Sequence, residues 1–300
     1  MKWIGRLLLG FLILIILFIG ISFFQYRSAV QKVAEQLPGQ STVVQTSVGP
    51  VEYLKQGNSD KFVLLLHGTP GSYHTFRADA LIDEGFTVIS PSRPGYFRTP
   101  LSSGETIEAQ SELYAALLDQ LSIDSAAVIG FSGGGPSAIL FASRFPQRCS
   151  GLVVLASSGR AFDEPEQNAI ANMLMGSEFG RWMAYTSLSD EFEGAIADEA
   201  HRYLQSAFFP MEHVVPGEQN DFKQFTSNWN ADLGAIECPT LVIHGTEDEL
   251  IPFTEATYLQ QQIPNTVLME KQDQDHFTVV FFEFGENLKL AADFLNKTKR

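Results

Sequence analysis

Val128-Ile129-Gly130-Phe131-Ser132-Gly133-Gly134-Gly135-Pro136 is the stretch on which the reading of the fold turns. An apolar run, Ala126 to Ile129, ends in Gly-x-Ser-x-Gly, and a helix-compatible segment, Ser137 to Phe145, follows at once. A serine between a strand and a helix sits on a sharp turn that holds its hydroxyl out at the edge of a sheet. Such a turn strains the serine backbone, and side chains two residues to either side would collide, so glycine is required there. A glycine-rich connector without chemistry has the same local pattern. The rest of the chain decides between the two.

On either side of this stretch, strands alternate with helices. Thr42 to Val44 and Val51 to Leu54 read as two short strands joined across Gly49-Pro50. Lys61 to Leu66 is a continuous apolar strand of the kind buried on both faces of a parallel sheet, and it ends in His67-Gly68-Thr69-Pro70-Gly71. A helical segment, Tyr73 to Glu84, precedes strand Phe86 to Ser90 and the turn-rich Pro91-Ser92-Arg93-Pro94-Gly95-Tyr96. Thr106 to Leu121 is helical, with Leu113, Leu117, Leu118 and Leu121 on one face. After the serine turn come strands Leu152 to Ala156, Thr240 to Ile243 and Thr266 to Met269, helix Glu255 to Gln262 and a closing helix, Phe282 to Leu295. Strands alternating with helices predict an α/β fold: a mostly parallel eight-stranded sheet flanked by helices, its first pair an antiparallel edge.

The alternation stops between Gly159 and Ala235. That interval is too long for a loop in a compact domain. It carries Trp182, Tyr185, Tyr203, Phe208, Phe209 and Trp229 on amphipathic stretches. It reads as a helical cap at 159–235, inserted into a core formed by 40–158 and 236–300. The cap's acidic residues, Glu164, Glu166, Glu178, Asp190, Glu191 and Glu193, read as a solvated face that could alternatively receive a substrate amine.

The N-terminus is of another kind. Leu7 to Phe24 holds no charge and, at about 1.5 Å per helical residue, matches a hydrocarbon core of about 30 Å. The run is longer than the core of a signal peptide, and Arg27 disfavours cleavage after Ala29. Residues 1–39 therefore read as a single-pass anchor and linker that contacts the lipid bilayer through Leu7–Phe24. The N-terminal amine, Lys2 and Arg6 slightly outweigh Arg27 and Lys32, which puts the catalytic domain on the extracytoplasmic side. Secretion after signal cleavage is the alternative. The 300-residue chain carries a formal net charge of −15, which argues against nucleic acid as a partner.

Ligands of such sheets bind beyond the C-terminal ends of the strands. Ser132, Asp248, His276 and the loop His67-Gly68-Thr69 all fall there. The order Ser…Asp…His is one of the known orders of a serine triad. Ser132 is then the nucleophile, His276 its general base and Asp248 the carboxylate that orients the imidazole. The backbone N–H groups of Thr69 and Gly133 are placed to bind the oxyanion. Glu247 and Glu249 flank Asp248 as alternative acids. His67 and His244 read as packed histidines, Asp275 as a solvated charge, and His74, His201 and His213 carry no signal. With no His-x-x-x-His, no Cys-x-x-Cys and no Gly-x-Gly-x-x-Gly, neither metal nor nucleotide cofactor is expected.

From about Val51 to the C-terminus the chain resembles the cap-bearing branch of the α/β-hydrolase superfamily. The resemblance rests on His67-Gly68-Thr69-Pro70-Gly71, Arg93-Pro94-Gly95-Tyr96, Gly130-Phe131-Ser132-Gly133-Gly134, Gly245-Thr246-Glu247-Asp248 with Pro252, and Asp275-His276-Phe277. It implies hydrolysis through an acyl-enzyme on Ser132. One departure is Ser92, near which many relatives carry an acidic residue. Serine at 132 excludes the aspartate nucleophile of dehalogenases and epoxide hydrolases.

The expectation is a membrane-anchored serine hydrolase that cleaves a carboxylic ester of a small acyl substrate. Amide, iminopeptidase, thioester, lactone and C–C cleavage use the same machinery. A non-catalytic binding protein on this fold is the alternative of another class, and the complete triad disfavours it. Oligomeric state is not read from the sequence. Cys149 and Cys238 precede strands that would be parallel neighbours about 4.8 Å apart, within reach of a disulfide. Two free buried thiols are the simpler expectation.

Overall fold

The computed structural model describes residues 2–36, 40–75, 78–161, 176–189, 207 and 210–298. Strands β1 (Thr42–Gln45), β2 (Pro50–Gln56), β3 (Phe62–Leu66), β4 (Thr87–Pro91), β5 (Ala126–Phe131), β6 (Cys149–Leu155), β7 (Thr240–Gly245) and β8 (Thr266–Lys271) form one eight-stranded sheet. Their spatial order is β1-β2-β4-β3-β5-β6-β7-β8. β1 and β2 make the antiparallel edge, and every pair from β4 through β8 is parallel.

Apolar runs without alternation are what a two-faced sheet demands, and alternate residues serve opposite faces. Leu64, Leu66, Val128, Leu152, Val154 and Val242 pack on one side. They meet helices α3 (Ile107–Gln120) and α4 (Gly135–Arg144), with α7 (Thr254–Gln262) beyond. Val63, Leu65, Ile129, Val153, Leu241 and Ile243 face the other way. They meet α2 (Asp79–Asp83) and the closing helix α8 (Phe284–Lys297). Leu113, Leu117 and Leu118, predicted to share a face of α3, are fully buried. Thr106 caps α3 by accepting the N–H of Ala109 at 3.1 Å.

Some boundaries differ from the expectation. Of the segment Tyr73 to Glu84, only Asp79–Asp83 is α-helical among the described residues. Ser72 to Thr75 instead closes a turn in which Thr75 N donates to Ser72 O at 3.2 Å. Cys149 is the first residue of β6 rather than its predecessor. A π-helical turn, Thr278–Phe282, comes before α8. Cys149 and Cys238 are free and buried, with their Sγ atoms 3.5 Å apart.

Between β6 and β7 two helices are described, α5 (Glu178–Ser189) and α6 (Val215–Phe225). The expected cap at 159–235 lies in part outside the described residues. Tyr203, Phe208, Phe209, Glu164, Glu166, Asp190, Glu191 and Glu193 all belong to that part. Trp229 is buried in the core, and Arg181 of α5 donates to Glu218 of α6 at 2.7 Å.

The N-terminal helix α1 (Lys2–Gln36) contains one stretch, Arg6–Lys32, long and apolar enough to cross a membrane. Only 6% of its most apolar window is buried inside the protein. Gln25 to Gly39 reads as a helical extension and linker ended by Pro38-Gly39, and the helix continues accordingly to Gln36. Its C-terminal third docks on α5. Phe23 meets Phe179 at 5.5 Å between ring centroids, Tyr26 meets Trp182 at 6.2 Å, and the Tyr26 hydroxyl donates to Glu178 Oε2. The second oxygen of Glu178 accepts the N–H of Met211 at 2.7 Å.

Candidate active site

The sheet delivers the site from the ends of its central strands. Ser132 follows β5 directly and has φ 46°, a left-handed conformation that a serine adopts only when its surroundings impose it. Gly134 shows why the turn needs glycine: a Cβ there would run into the carbonyl oxygens of Leu66 and His67. The turn can thus lie flat against the end of β3.

His276 arrives from the segment between β8 and the π-helical turn and is buried. Its Nε2 lies 3.0 Å from Ser132 Oγ and its Nδ1 lies 2.8 Å from Asp248 Oδ2. Asp248 is on the loop after β7. Its Oδ1 accepts the N–H groups of Leu250 at 3.0 Å and Ile251 at 2.8 Å. Burial alone would raise its pKa. Hydrogen bonds from His244 and His276, with that of Ile251 N–H, outweigh burial and hold the carboxyl well below the usual carboxylate range. It is therefore ionised at neutral pH. His244, expected as a packed histidine, is fully buried and turns Nε2 toward Ile251 O at 2.8 Å and Asp248 Oδ2 at 3.3 Å. A histidine with one proton on Nε2 donates to both acceptors.

The loop after β3 builds the side on which the oxyanion donors are expected. An ideal Cβ on Gly68 would stand 3.3 Å from Ser132 Cβ, so this loop passes directly beside the serine. A Cβ on Gly133 would strike Thr69 Oγ1 and come within 2.9 Å of Phe225 Cζ. The two segments whose N–H groups were expected to bind the oxyanion, Thr69 and Gly133, are thus in contact. His67 lies beneath the loop as expected. Its Nδ1 donates to Gly68 O at 2.8 Å, and its Nε2 accepts the N–H of Arg93 at 2.9 Å. Burial, with the charge of Arg93 second, pushes its pKa well down, which keeps the imidazole neutral.

The other anticipated residues fall elsewhere. Glu247 and Glu249 do not contact His276 in any hydrogen bond of the described residues, whereas Asp248 does. Asp275 accepts the N–H of Thr278 at 2.8 Å and so starts the π-helical turn. Among the described residues no group of three or more His, Cys, Asp or Glu is gathered to hold a metal ion. Sequence reasoning missed Asp221 on α6, which accepts hydrogen bonds from Arg93, Tyr96 and Thr69. Its partners lie more than a hundred residues away in the chain, so no local pattern marks it.

The fold that carries these residues has counterparts among known proteins. The model of the alpha/beta hydrolase fold family matches residues 61–210. The chain belongs to the alpha/beta hydrolase fold family. This hydrolase is 26% identical over 270 residues to the uncharacterized hydrolase YcgS of Bacillus subtilis, across 82% of this chain and 95% of that protein. It is 28% identical over 264 residues to the 2-hydroxy-6-oxononadienedioate/2-hydroxy-6-oxononatrienedioate hydrolase of Cupriavidus pinatubonensis, across 80% and 89% of the two chains. Among solved structures, an alpha/beta hydrolase fold protein from Nakamurella multipartita superimposes with a TM-score of 0.74 at 29% identity, covering 85% of this hydrolase and 99% of that chain.

Proposed function

We propose that this alpha/beta hydrolase cleaves a carboxylic ester, or a related acyl bond, through an acyl-serine intermediate on Ser132. The observation that carries the reading is the unbroken hydrogen-bonded series Ser132 Oγ, His276 Nε2, His276 Nδ1, Asp248 Oδ2, with gaps of 3.0 and 2.8 Å. His276 removes the hydroxyl proton as Ser132 Oγ attacks the acyl carbon. The N–H groups of Thr69 and Gly133 receive the oxyanion, and each such donor is worth about 3 kcal/mol in the transition state. His276 then gives the proton to the leaving oxygen. Water, deprotonated by His276, attacks the acyl-serine and releases the acid. Asp248 stays ionised throughout and holds the imidazole in the productive tautomer. A binding protein on this fold would have no need of a strained serine hydrogen-bonded to a histidine.

A second reading is C–C bond hydrolysis. The Cupriavidus relative is named for a 6-oxo compound, and hydrolysis at a ketone carbon breaks a C–C bond. A panel of short and long esters, lactones, aminoacyl amides and a 2-hydroxy-6-oxo dienoate separates the readings. Ester turnover abolished by Ser132→Ala supports the first. Turnover of the dienoate alone replaces it with the second.

We infer further that α1 anchors the enzyme in a bilayer through Leu7–Phe24, with the catalytic domain on the extracytoplasmic side. Its support is the length and exposure of the helix, with Trp3 at one end and Phe24 at the other, each 76% exposed. Trp concentrates at membrane interfaces, and Trp3 stands just before the span. Protease protection in vesicles tests the orientation, and N-terminal sequencing tests whether the helix is retained.

A further inference from the structure

Asp221 is 1% exposed, and so is Arg93, its ionic partner. A buried ion pair is expensive unless every lone pair and proton finds a partner. The Asp221 carboxylate meets that demand. Its Oδ1 accepts from Arg93 Nη1 at 2.9 Å, and its Oδ2 accepts from Arg93 Nη2, from the Tyr96 hydroxyl at 2.6 Å and from Thr69 Oγ1 at 2.6 Å. Its donors come from the loops after β3 and β4, while Asp221 itself comes from α6, between β6 and β7. An apolar cluster would pack these segments together as well. What the ionic cluster adds is direction.

That direction is read at one peptide plane. The Gly68 carbonyl and the Thr69 N–H belong to the same planar peptide and point oppositely when it is trans. Two donors hold the carbonyl: His67 Nδ1 at 2.8 Å and Arg93 Nη2 at 3.2 Å. Arg93 Nη2 also donates to Thr69 Oγ1 at 2.8 Å, and that hydroxyl in turn donates to Asp221 Oδ2 at 2.6 Å. With the carbonyl held on the side of Arg93, the N–H is turned away from it. Phe225, one helical turn after Asp221 and on the same face of α6, lies against Gly133, the second expected donor. One face of α6 thus touches both segments of the oxyanion hole.

We propose that Asp221 is a positioning residue: through Arg93 and Thr69 Oγ1 it aims the Thr69 N–H at the oxyanion, so that α6 sets the oxyanion hole. The inference rests on the acyl-serine reading above. Arg181 and Glu218, joined at 2.7 Å with both side chains buried, brace α6 against α5. The position of the Thr69 N–H is therefore a property of both segments, the core loop and the helix packed over it.

Asp221→Ala strands a buried guanidinium and would unfold the site, so the test uses Thr69→Val, which keeps the shape and the Arg93–Asp221 pair but removes the clamped hydroxyl. Thr69→Ser is the conservative rescue. Steady-state ester hydrolysis is normalised to active sites counted by fluorophosphonate labelling, and thermal midpoints are recorded. A misplacement of about 1 Å costs on the order of 100-fold. Thr69→Val is expected to lower kcat per labelled site by about 10- to 100-fold, with KM within about twofold and a midpoint still above the assay temperature. Thr69→Ser is expected to return most of it. An unchanged kcat per site in Thr69→Val overturns the proposal, as does a loss confined to KM or to the midpoint. A wild-type enzyme that takes no label at Ser132 overturns the acyl-serine reading itself, and the clamp with it.

Discussion

Ser92 donates through Oγ to Glu52 Oε2 at 3.1 Å, linking the loop after β4 to strand β2. Where the family resemblance places an acidic residue near position 92, this chain has a serine hydrogen-bonded to a carboxylate of a neighbouring strand. Glu52 is 2% exposed and also accepts from Ser41 Oγ at 2.6 Å, from Arg98 N at 2.9 Å and from Arg98 Nε at 2.7 Å. Glu52→Ala leaves these donors without an acceptor and is expected to destabilise the fold by about 2–3 kcal/mol, less than a fully buried pair because Arg98 is half-exposed. Urea unfolding measures it. None of these partners belongs to the triad, so activity per folded molecule should stay near that of the wild type.

In the proposed mechanism, Asp248→Asn removes the charge that stabilises the imidazolium and favours the wrong tautomer of His276. A loss of kcat of about 10⁴-fold is expected. The same carboxyl has a pH signature. Its folded pKa lies below the unfolded value of about 3.9, so its contribution to stability is fully present above about pH 5 and is lost as pH falls toward the folded pKa. Acid titration of unfolding should therefore be shallower in Asp248→Asn than in the wild type.

Two histidines act at higher pH. Burial pushes His74 down to about 4, against a smaller opposing effect of Glu52, and burial with Arg93 pushes His67 well down. The unfolded chain therefore binds more protons than the folded one between about pH 6.5 and pH 4. Stability should fall as pH drops through that window, by up to about 1.4 kcal/mol per pH unit for each histidine. Urea midpoints across the range check this, and His74→Gln should flatten the slope.

Cys149 and Cys238 stand at the two ends of the chain segment that holds α5 and α6, with Sγ atoms 3.5 Å apart. Exchange with a small-molecule disulfide during refolding should join them, the two thiols losing two electrons and two protons to the oxidant. In the chain-entropy account, a loop of this length is worth about 4–5 kcal/mol. The thermal midpoint should rise in the oxidised form and return on reduction, and Cys149→Ala should abolish the difference.

Most of the sheet was readable because its strands are apolar runs without alternation, a pattern that only burial on both faces explains. Ser132, Asp248 and His276 were readable for a related reason: each lies just beyond the end of such a run. Asp221 carries no such mark. It is one polar residue among several on α6, and its role depends on Arg93 and Thr69 arriving from distant loops. Nothing in Val51 to Leu54 marks Glu52 as buried; it is buried because the segment after β4 folds over it. Tyr73 to Glu84 has helical composition, but a hydrogen bond from Ser72 N to Thr75 Oγ1 at 2.6 Å and one between the Ser72 and Thr75 hydroxyls at 3.3 Å hold its start in a turn.

The acyl-serine intermediate is the centre of the account, and intact-protein mass spectrometry during ester turnover addresses it most directly. With a slowly deacylating ester, the protein should gain the mass of one acyl group, peptide mapping should place that group on Ser132, and Ser132→Ala should gain nothing. Turnover of the ester with no acyl group on Ser132, or an equal mass gain in Ser132→Ala, would contradict it.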